Sequence, residues 1–536
     1  MARGQIARSL ISRRRLLTSV GLLGAGALVA ACAPAAAPTN TPAPAAKPAE
    51  APKPAEAPKP AAAAPTNTAA AAKPAEATKP AEPTKPAAAA APTTAPTAAA
   101  PAKPTGPITL TVHVNSAVKE EGMTKPGEGR FGSWYERMQY EEHAPKYTEK
   151  NPNAKVVIDW WVDTGPAKIL ATKAAGQLGD LVHSLRVPFD VMARNELIRP
   201  IDDLVKGNNL DLKQWFPNVL DILRFDVKTA KRGTGAPLMG LPTVAYPGAG
   251  VLFLNPSMFE KKGVKLPTSD MTFAQLVETA VKMTERPGNA DVASVYGFLT
   301  PFYGGDIMVS WVRDFGGELL SPDGKKATIN TPEVQSTWQF IYDLIYKHKV
   351  HPRPDTLTAL GQYKNMFVQQ KLPMFRLPPW GSLATSELPE KDKGGFDWDA
   401  IAMPPGPSGK RGSQLGATSL GVTPNSKNPD VALDLLAHIV NKDGAWYMCF
   451  NSGNCGPRAD VLEDPRVKGN KFLQMTGKLL PEARLAHYAA NGRDGEVGST
   501  WSKEFDKVLN DQAKIDSAFL ANVNKLTQDV LDKPPV

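Results

Sequence analysis

The chain has 536 residues, of which 62 are basic and 53 acidic, for a formal net charge of +9; 42% are hydrophobic and only 7% aromatic. The charge is concentrated at the N-terminal end: residues 1–32 carry +5 and residues 33–106 carry +3, which leaves +1 for the rest. The basic balance therefore gives no support to a nucleic-acid partner, and the absence of an 18-residue apolar run after residue 31 excludes a polytopic helical membrane protein.

Residues 1–31 read as an export signal. Arg13, Arg14 and Arg15 precede Leu16-Leu17 and an uncharged stretch of Gly, Ala, Leu and Val that ends at Ala31. A basic start, a short apolar core and small residues at a cleavage point define such a signal, and this core is too short to span a bilayer comfortably. The arginines ahead of two leucines resemble a twin-arginine signal, with the general secretory path as the alternative. Val29-Ala30-Ala31-Cys32 resembles a bacterial lipobox, in which Cys32 would be lipidated and become the new N-terminus. Two or three acyl chains on one residue give stable anchoring.

Residues 33–106 hold 18 of the 51 prolines and no aromatic side chain, with Lys-Pro-Ala-Glu-Ala-Pro repeated from Lys47 to Lys59. Such a segment cannot bury enough apolar surface to offset its ordering entropy, so 32–106 is expected to be a disordered, semi-extended spacer behind the lipidated cysteine. At ~3.1 Å per residue it could reach roughly 230 Å.

The body, 107–536, reads as alternating strands and helices. Strands are predicted over 108–114, 156–161, 180–183, 250–255, 398–403 and 417–422, and helices over 134–150, 167–177, 273–285, 332–348, 430–441 and 501–531. The βαβαβ order at the start implies a parallel, doubly wound sheet.

The turn motifs of this body carry a family resemblance. Ala175-Gly176-Gln177-Leu178-Gly179-Asp180, Leu197-Ile198-Arg199-Pro200-Ile201-Asp202, Gly240-Leu241-Pro242 and Phe259-Glu260-Lys261-Lys262-Gly263-Val264 occur in order. Gly316-Gly317-Glu318-Leu319, the segment from Phe367 to Trp380, Met403-Pro404-Pro405-Gly406-Pro407 and Ser426-Lys427-Asn428-Pro429 follow. This succession resembles the extracellular solute-binding proteins of family 1, the sugar-binding receptors of ABC importers, although Gly179 and Gln370 replace the residues usual at those places. The resemblance implies an α/β fold of two lobes, about 107–248 with 411–460 and about 249–410 with 461–536. A hinged cleft between them would capture a small solute, most simply a carbohydrate, and hand it to permease subunits. The first crossing between lobes is expected at Thr243–Gly250, with an ordinary surface turn as the alternative. The protein would sit on the outer face of the bacterial cytoplasmic membrane, held by its N-terminal lipid, as a monomer with no cofactor and no enzymatic activity.

Sugars offer apolar faces for stacking and hydroxyls for polar partners. Trp160 or Trp161, at the carboxyl end of a strand, is expected to face the cleft while the other is core. Trp380 stands where sugar-binding relatives have a stacking tryptophan. Tyr246, at the crossing, and Tyr303, Asp306 and Trp311, in a Gly-rich loop and the helix it opens, are further candidates, with Arg376 and Arg458 as charged partners. For each aromatic residue the alternative is core packing. Cys449 and Cys455 lie close enough in sequence for a disulfide, with two thiols as the alternative. No GxSxG, GxxxxGK[ST], HExxH or post-strand GxGxxG motif occurs, and no metal site is expected. The rival functions are an exported polysaccharide hydrolase, which would need a carboxylate pair at fixed separation, and a sensor domain serving a signalling partner.

Overall fold

The computed structural model describes residues 106–115, 133–161, 166–184, 189–288, 290–302, 305–381, 395–453 and 456–536. The export signal, Cys32 and the spacer lie outside them, as do Tyr303 and Cys455.

Strand β1 (Ile108–Asn115) alternates β-branched and polar residues, and it pairs in parallel register with β2 (Ala154–Trp161), from Ile108 beside Ala154 to Asn115 beside Trp161. β3 (Leu181–His183) continues the sheet in parallel. The chain then makes β4 (Leu241–Gly248), leaves for a second sheet, and returns as β8 (Gln414–Val422). β8 inserts antiparallel between β3 and β4, so the five-stranded order is β2-β1-β3-β8-β4. The sheet is thus mixed where the sequence implied a wholly parallel one. The outgoing and returning strands lie side by side, and neighbours leaving and re-entering one lobe must run in opposite directions.

The second sheet is short and antiparallel: β6 (Met374–Leu377), β5 (Val251–Leu254) and β7 (Asp399–Ala402), in the order β6-β5-β7. All four residues of β5 and of β6 are buried, and helices cover them. One is Phe273–Met283, started by a capping box in which Thr272 and Gln275 satisfy each other's backbone N–H. Phe273, Leu276, Val277, Ala280 and Met283 recur at helical spacing and turn one face to the core.

Each sheet has its own hydrophobic core. One cluster runs through Leu110, Val112, Tyr140, Leu181, Leu241, Leu420 and Leu436, with a smaller one on the other face around Trp161, Ile169 and Val182. The other lobe's cluster joins Phe253, Phe298, Trp311, Trp338, Phe375 and Phe505. The sequence boundary at 460/461 does not coincide with a change of core. Val461 and Val467 pack with Ala445 and Cys449, and Leu480 and Ala483 with Ala245 and Leu415 on the five-stranded side, while Phe472, Met475 and Leu479 between them pack against the second lobe's core. The 501–531 helix is in fact two, Asp494–Leu509 and Ser517–Leu531, because Asp511 takes a positive φ of 58° and Asp516 caps a new start at the N–H of Phe519.

Candidate functional site

β1, β2, β3 and β4 all point their carboxyl ends the same way, toward the second lobe, because β4 runs directly into β5 through Ala249 and Gly250. The first crossing therefore lies at 248–251, and of the expected crossing, 243–250, the part up to Gly248 is itself strand. The second crossing, 402–414, returns from β7. A third passes at Arg484, whose N–H and carbonyl pair with the Ser413 carbonyl and the Leu415 N–H at 3.1 and 2.8 Å. On the far side, antiparallel pairing puts Leu377 of β6 beside Val251 at the start of β5. The chain beyond β6 consequently emerges at the crossings, and its single turn Pro379–Gly381 lies against β4. In open α/β sheets such carboxyl edges are where ligands bind.

Two tryptophans occupy the two edges. On β2, successive side chains face opposite sides, and the sheet separates Trp160 from Trp161 accordingly. Trp161 is 2% exposed and packs with Ile169, Leu178 and Met192. Trp160 is half-buried, its ring edge-on to Tyr140 with centroids 6.2 Å apart. On the other edge Trp380 is also half-buried, against the second lobe's core. Tyr246, on β4, is half-buried as well; its ring crosses Gly416 of β8, where a Cβ would come within 2.4 Å of it, so only glycine leaves that space.

Three expected site residues belong to the interior. Trp311 is fully buried, donates from its indole to the Thr300 hydroxyl at 3.2 Å, and underlies the Arg376 guanidinium at 4.1 Å. Arg376 pairs with buried Asp314 at 2.6 Å and donates to the Ala249 carbonyl at 2.7 Å. Burial pushes the Asp314 carboxyl up and the Arg376 guanidinium down, and each charge offsets that cost for the other. Arg458 is held by Gln214 and by Asp460, the latter at 2.7 Å, over the Trp215 ring. These side chains are consumed by packing and ion pairing, so they correct the expectation that they reach solute. Of Asp306 the backbone alone is described, at the start of helix Gly305–Asp314. Cys449 is buried in helix Lys442–Ser452.

A polar group that sequence reading missed lies near the first edge. His183 of β3, Thr243 of β4 and Thr418 of β8 form a buried chain, with Thr243 Oγ1 at 3.4 Å from the imidazole and 2.8 Å from Thr418 Oγ1. Ser184 and Ser419 exchange backbone and hydroxyl bonds beside it, at 2.8 to 2.9 Å. The available signal was Thr418-Ser419 inside an otherwise apolar strand. His113 of β1 accepts the Gly179 N–H at 2.8 Å through Nε2, so its Nδ1–H donates to Asp159, also at 2.8 Å. A hollow of about 580 Å³ lined by Arg411, Lys471, Lys478 and Glu482 lies elsewhere and includes none of these residues. Among the described residues no cluster of three metal-ligating side chains occurs, and no helix is long and apolar enough to cross a membrane.

Comparison with known proteins agrees with this architecture. An ABC substrate-binding protein of Listeria monocytogenes in complex with cycloalternan superposes with a TM-score of 0.61 at 18% identity, covering 79% of this chain and 98% of that one. The maltose-bound T. maritima MalE3 gives 0.61 at 21%, covering 79% and 99%. At such identities the likeness establishes the fold: two lobes joined by crossings, as in these binding proteins. An arabinooligosaccharide-binding protein of Halalkalibacterium halodurans is 24% identical over 265 residues, 46% of this chain and 54% of that protein. The chain spans about half the length of the curated relatives it matches. The family model described as bacterial extracellular solute-binding protein matches residues 126–446, more than half of the chain. The chain belongs to the bacterial extracellular solute-binding proteins.

Proposed function

We propose that this protein is the solute receptor of an ABC importer, that its solute is a carbohydrate, and that the two lobes close over it without covalent chemistry. The observation that carries the reading is the pair of half-buried indoles, Trp160 and Trp380, on the two edges that flank the crossings. Each can offer a face to a sugar ring. The names of the relatives point the same way, toward arabinooligosaccharides, cycloalternan and maltose. Tyr246 is proposed as a further contact, and Tyr303 and Asp306 on chain position alone. A thermal-shift panel of neutral oligosaccharides, with peptides and polyamines as competing classes, tests the reading. Stabilisation by one sugar series is expected, and stabilisation by peptides or polyamines alone overturns it.

The rest of the reading concerns placement. Export through a signal over 1–31, lipidation at Cys32 and a spacer over 32–106 would hold the receptor as a monomer on the outer face of the cytoplasmic membrane, within reach of permease subunits. Cys32→Ser is expected to move the folded protein from washed membranes to the soluble fraction, because the acyl chains supply the apolar attachment. Retention on membranes would contradict lipid anchoring.

A further inference from the structure

Helix Gly305–Asp314 touches all three crossings, and it does so through buried side chains. The Ser310 hydroxyl donates to the Gly248 carbonyl of the first crossing at 2.9 Å and accepts the Gln414 N–H of the second at 3.1 Å. The Asp314 carboxylate accepts the Gly412 N–H of the second crossing at 2.7 Å. Its partner Arg376 holds the Ala249 carbonyl of the first. Arg313 donates to the Arg484 and Leu485 carbonyls of the third crossing at 3.0 and 2.6 Å, and its own direction is fixed by Glu318 at 2.9 and 3.0 Å. Ser310 and Asp314 have no solvent exposure, and Arg313 has 2%.

The backbone at the first crossing is not relaxed. Ala249 is buried and takes a φ of +45°, a conformation that a residue with a Cβ adopts only when its surroundings impose it. The Arg376 bond to its carbonyl is one such constraint. A crossing held only by neighbouring strands would turn about many backbone angles. Crossings tied to one helix by fixed side chains have a defined pivot, and hinge closure depends on where a few residues absorb the change of angle.

We propose that helix Gly305–Asp314 is the clamp that sets the pivot and the resting angle between the lobes, with Ser310, Arg313 and Asp314 as positioning residues for solute capture. This deepens the receptor reading above and rests on it for its functional meaning, but the clamp itself is a property of the solute-free protein. Ser310 bridges two crossings with one hydroxyl, so its removal frees both while changing little volume. Ala249→Gly relieves the imposed conformation from the opposite side and should loosen the same pivot.

The test uses the full chain with spin labels at Lys155 on β2 and Glu260 on helix Pro256–Lys262, two exposed positions on opposite lobes. A keto amino acid introduces the labels and spares the native cysteines. The distance distribution is measured without solute in the parent, Ser310→Ala, Ala249→Gly and Thr337→Val. Thr337 is a buried hydroxyl bonded only within its own helix, to the Glu333 carbonyl, and serves as the control for a generic loss of packing. Ser310→Ala and Ala249→Gly should each broaden or displace the distribution, whereas Thr337→Val should leave it as in the parent. If Ser310→Ala fails to fold, Ala249→Gly alone decides. Distributions that coincide in all four proteins overturn the clamp. Maltotriose is then added to each: a narrowing in the parent supports the receptor reading, and the absence of any response to it counts against that reading while leaving the solute-free result to judge the clamp. Affinity for maltotriose should differ from the parent by about three- to tenfold in the two clamp variants. Rescue of the parental distribution by Ser310→Thr, which keeps the hydroxyl, would assign the effect to the hydrogen bonds.

Discussion

The two edges that meet at the crossings are built from different chemistry. The five-stranded lobe brings polar groups to its edge: His183, Thr243, Thr418, Ser184 and Ser419, joined by hydrogen bonds within the sheet. The three-stranded lobe instead buries a full charge pair, Arg376 with Asp314, on an indole floor. A neutral hydroxyl chain stays satisfied at modest net energy, while a buried ion pair is costly to break and holds its neighbours in one arrangement. The first edge keeps its hydroxyls bonded within the sheet, and the second is spent on fixing the crossings. This contrast explains why arginine and tryptophan, good candidates by residue type, are ligands of the scaffold at 311 and 376.

Removing one member of the charge pair should have the largest effect. Arg376→Met leaves Asp314 buried and uncompensated, with an expected loss of about 3–5 kcal/mol. Urea denaturation measures it, and adding Asp314→Leu should recover most of the loss; an equal deficit in the double variant would mean that the pair is not the source.

The imidazoles of the five-stranded lobe give a smaller effect that depends on pH. His143 is held down to about 4, chiefly by burial and then by the charges of Lys146 and His438. Its folded value lies below its unfolded one, so the folded state binds fewer protons. Its contribution is whole above pH ~6.5 and is lost as pH falls toward 4, by about 2 kcal/mol. His143→Gln should flatten that part of the acid limb relative to the parent, and parallel curves would contradict the assignment.

Smallest is the hydroxyl chain itself. Thr243→Val keeps the shape and removes the bonds to His183 and Thr418, for a loss of about 1 kcal/mol. A loss as large as that at Arg376 would erase the distinction between the two edges.

The strands with alternating or β-branched patterns, β1, β2 and β8, were legible from period alone, as were helices with a clear apolar stripe such as Phe273–Met283. β6 was not: its four buried residues carry no period, and unlike β5 it includes a charged residue, Arg376, whose partner lies on another element. Residues 243–250 read as the first crossing because of their Pro and Gly residues, whereas Pro247 and Gly248 are still paired with β8 and the strand runs to Gly248. Of the site, the alternation at Trp160 and Trp161 foretold that one would be core, but not which, since that depends on which face of β2 meets Tyr140 and which meets Ile169. Arg376 and Trp311 could not be sorted by sequence, because their partners, Asp314 and Ala249, are brought to them only by the second sheet and the crossing.

In the proposed receptor, solute is held between the lobes and touched by both. Calorimetric titration of the oligosaccharide that gives the largest thermal shift into the parent, Trp160→Ala and Trp380→Ala measures this directly. Each variant should stay folded and bind about ten- to a hundredfold more weakly, as burial of one aromatic face at roughly 1.5–3 kcal/mol requires. Undiminished affinity in either variant would contradict a site shared by the two lobes.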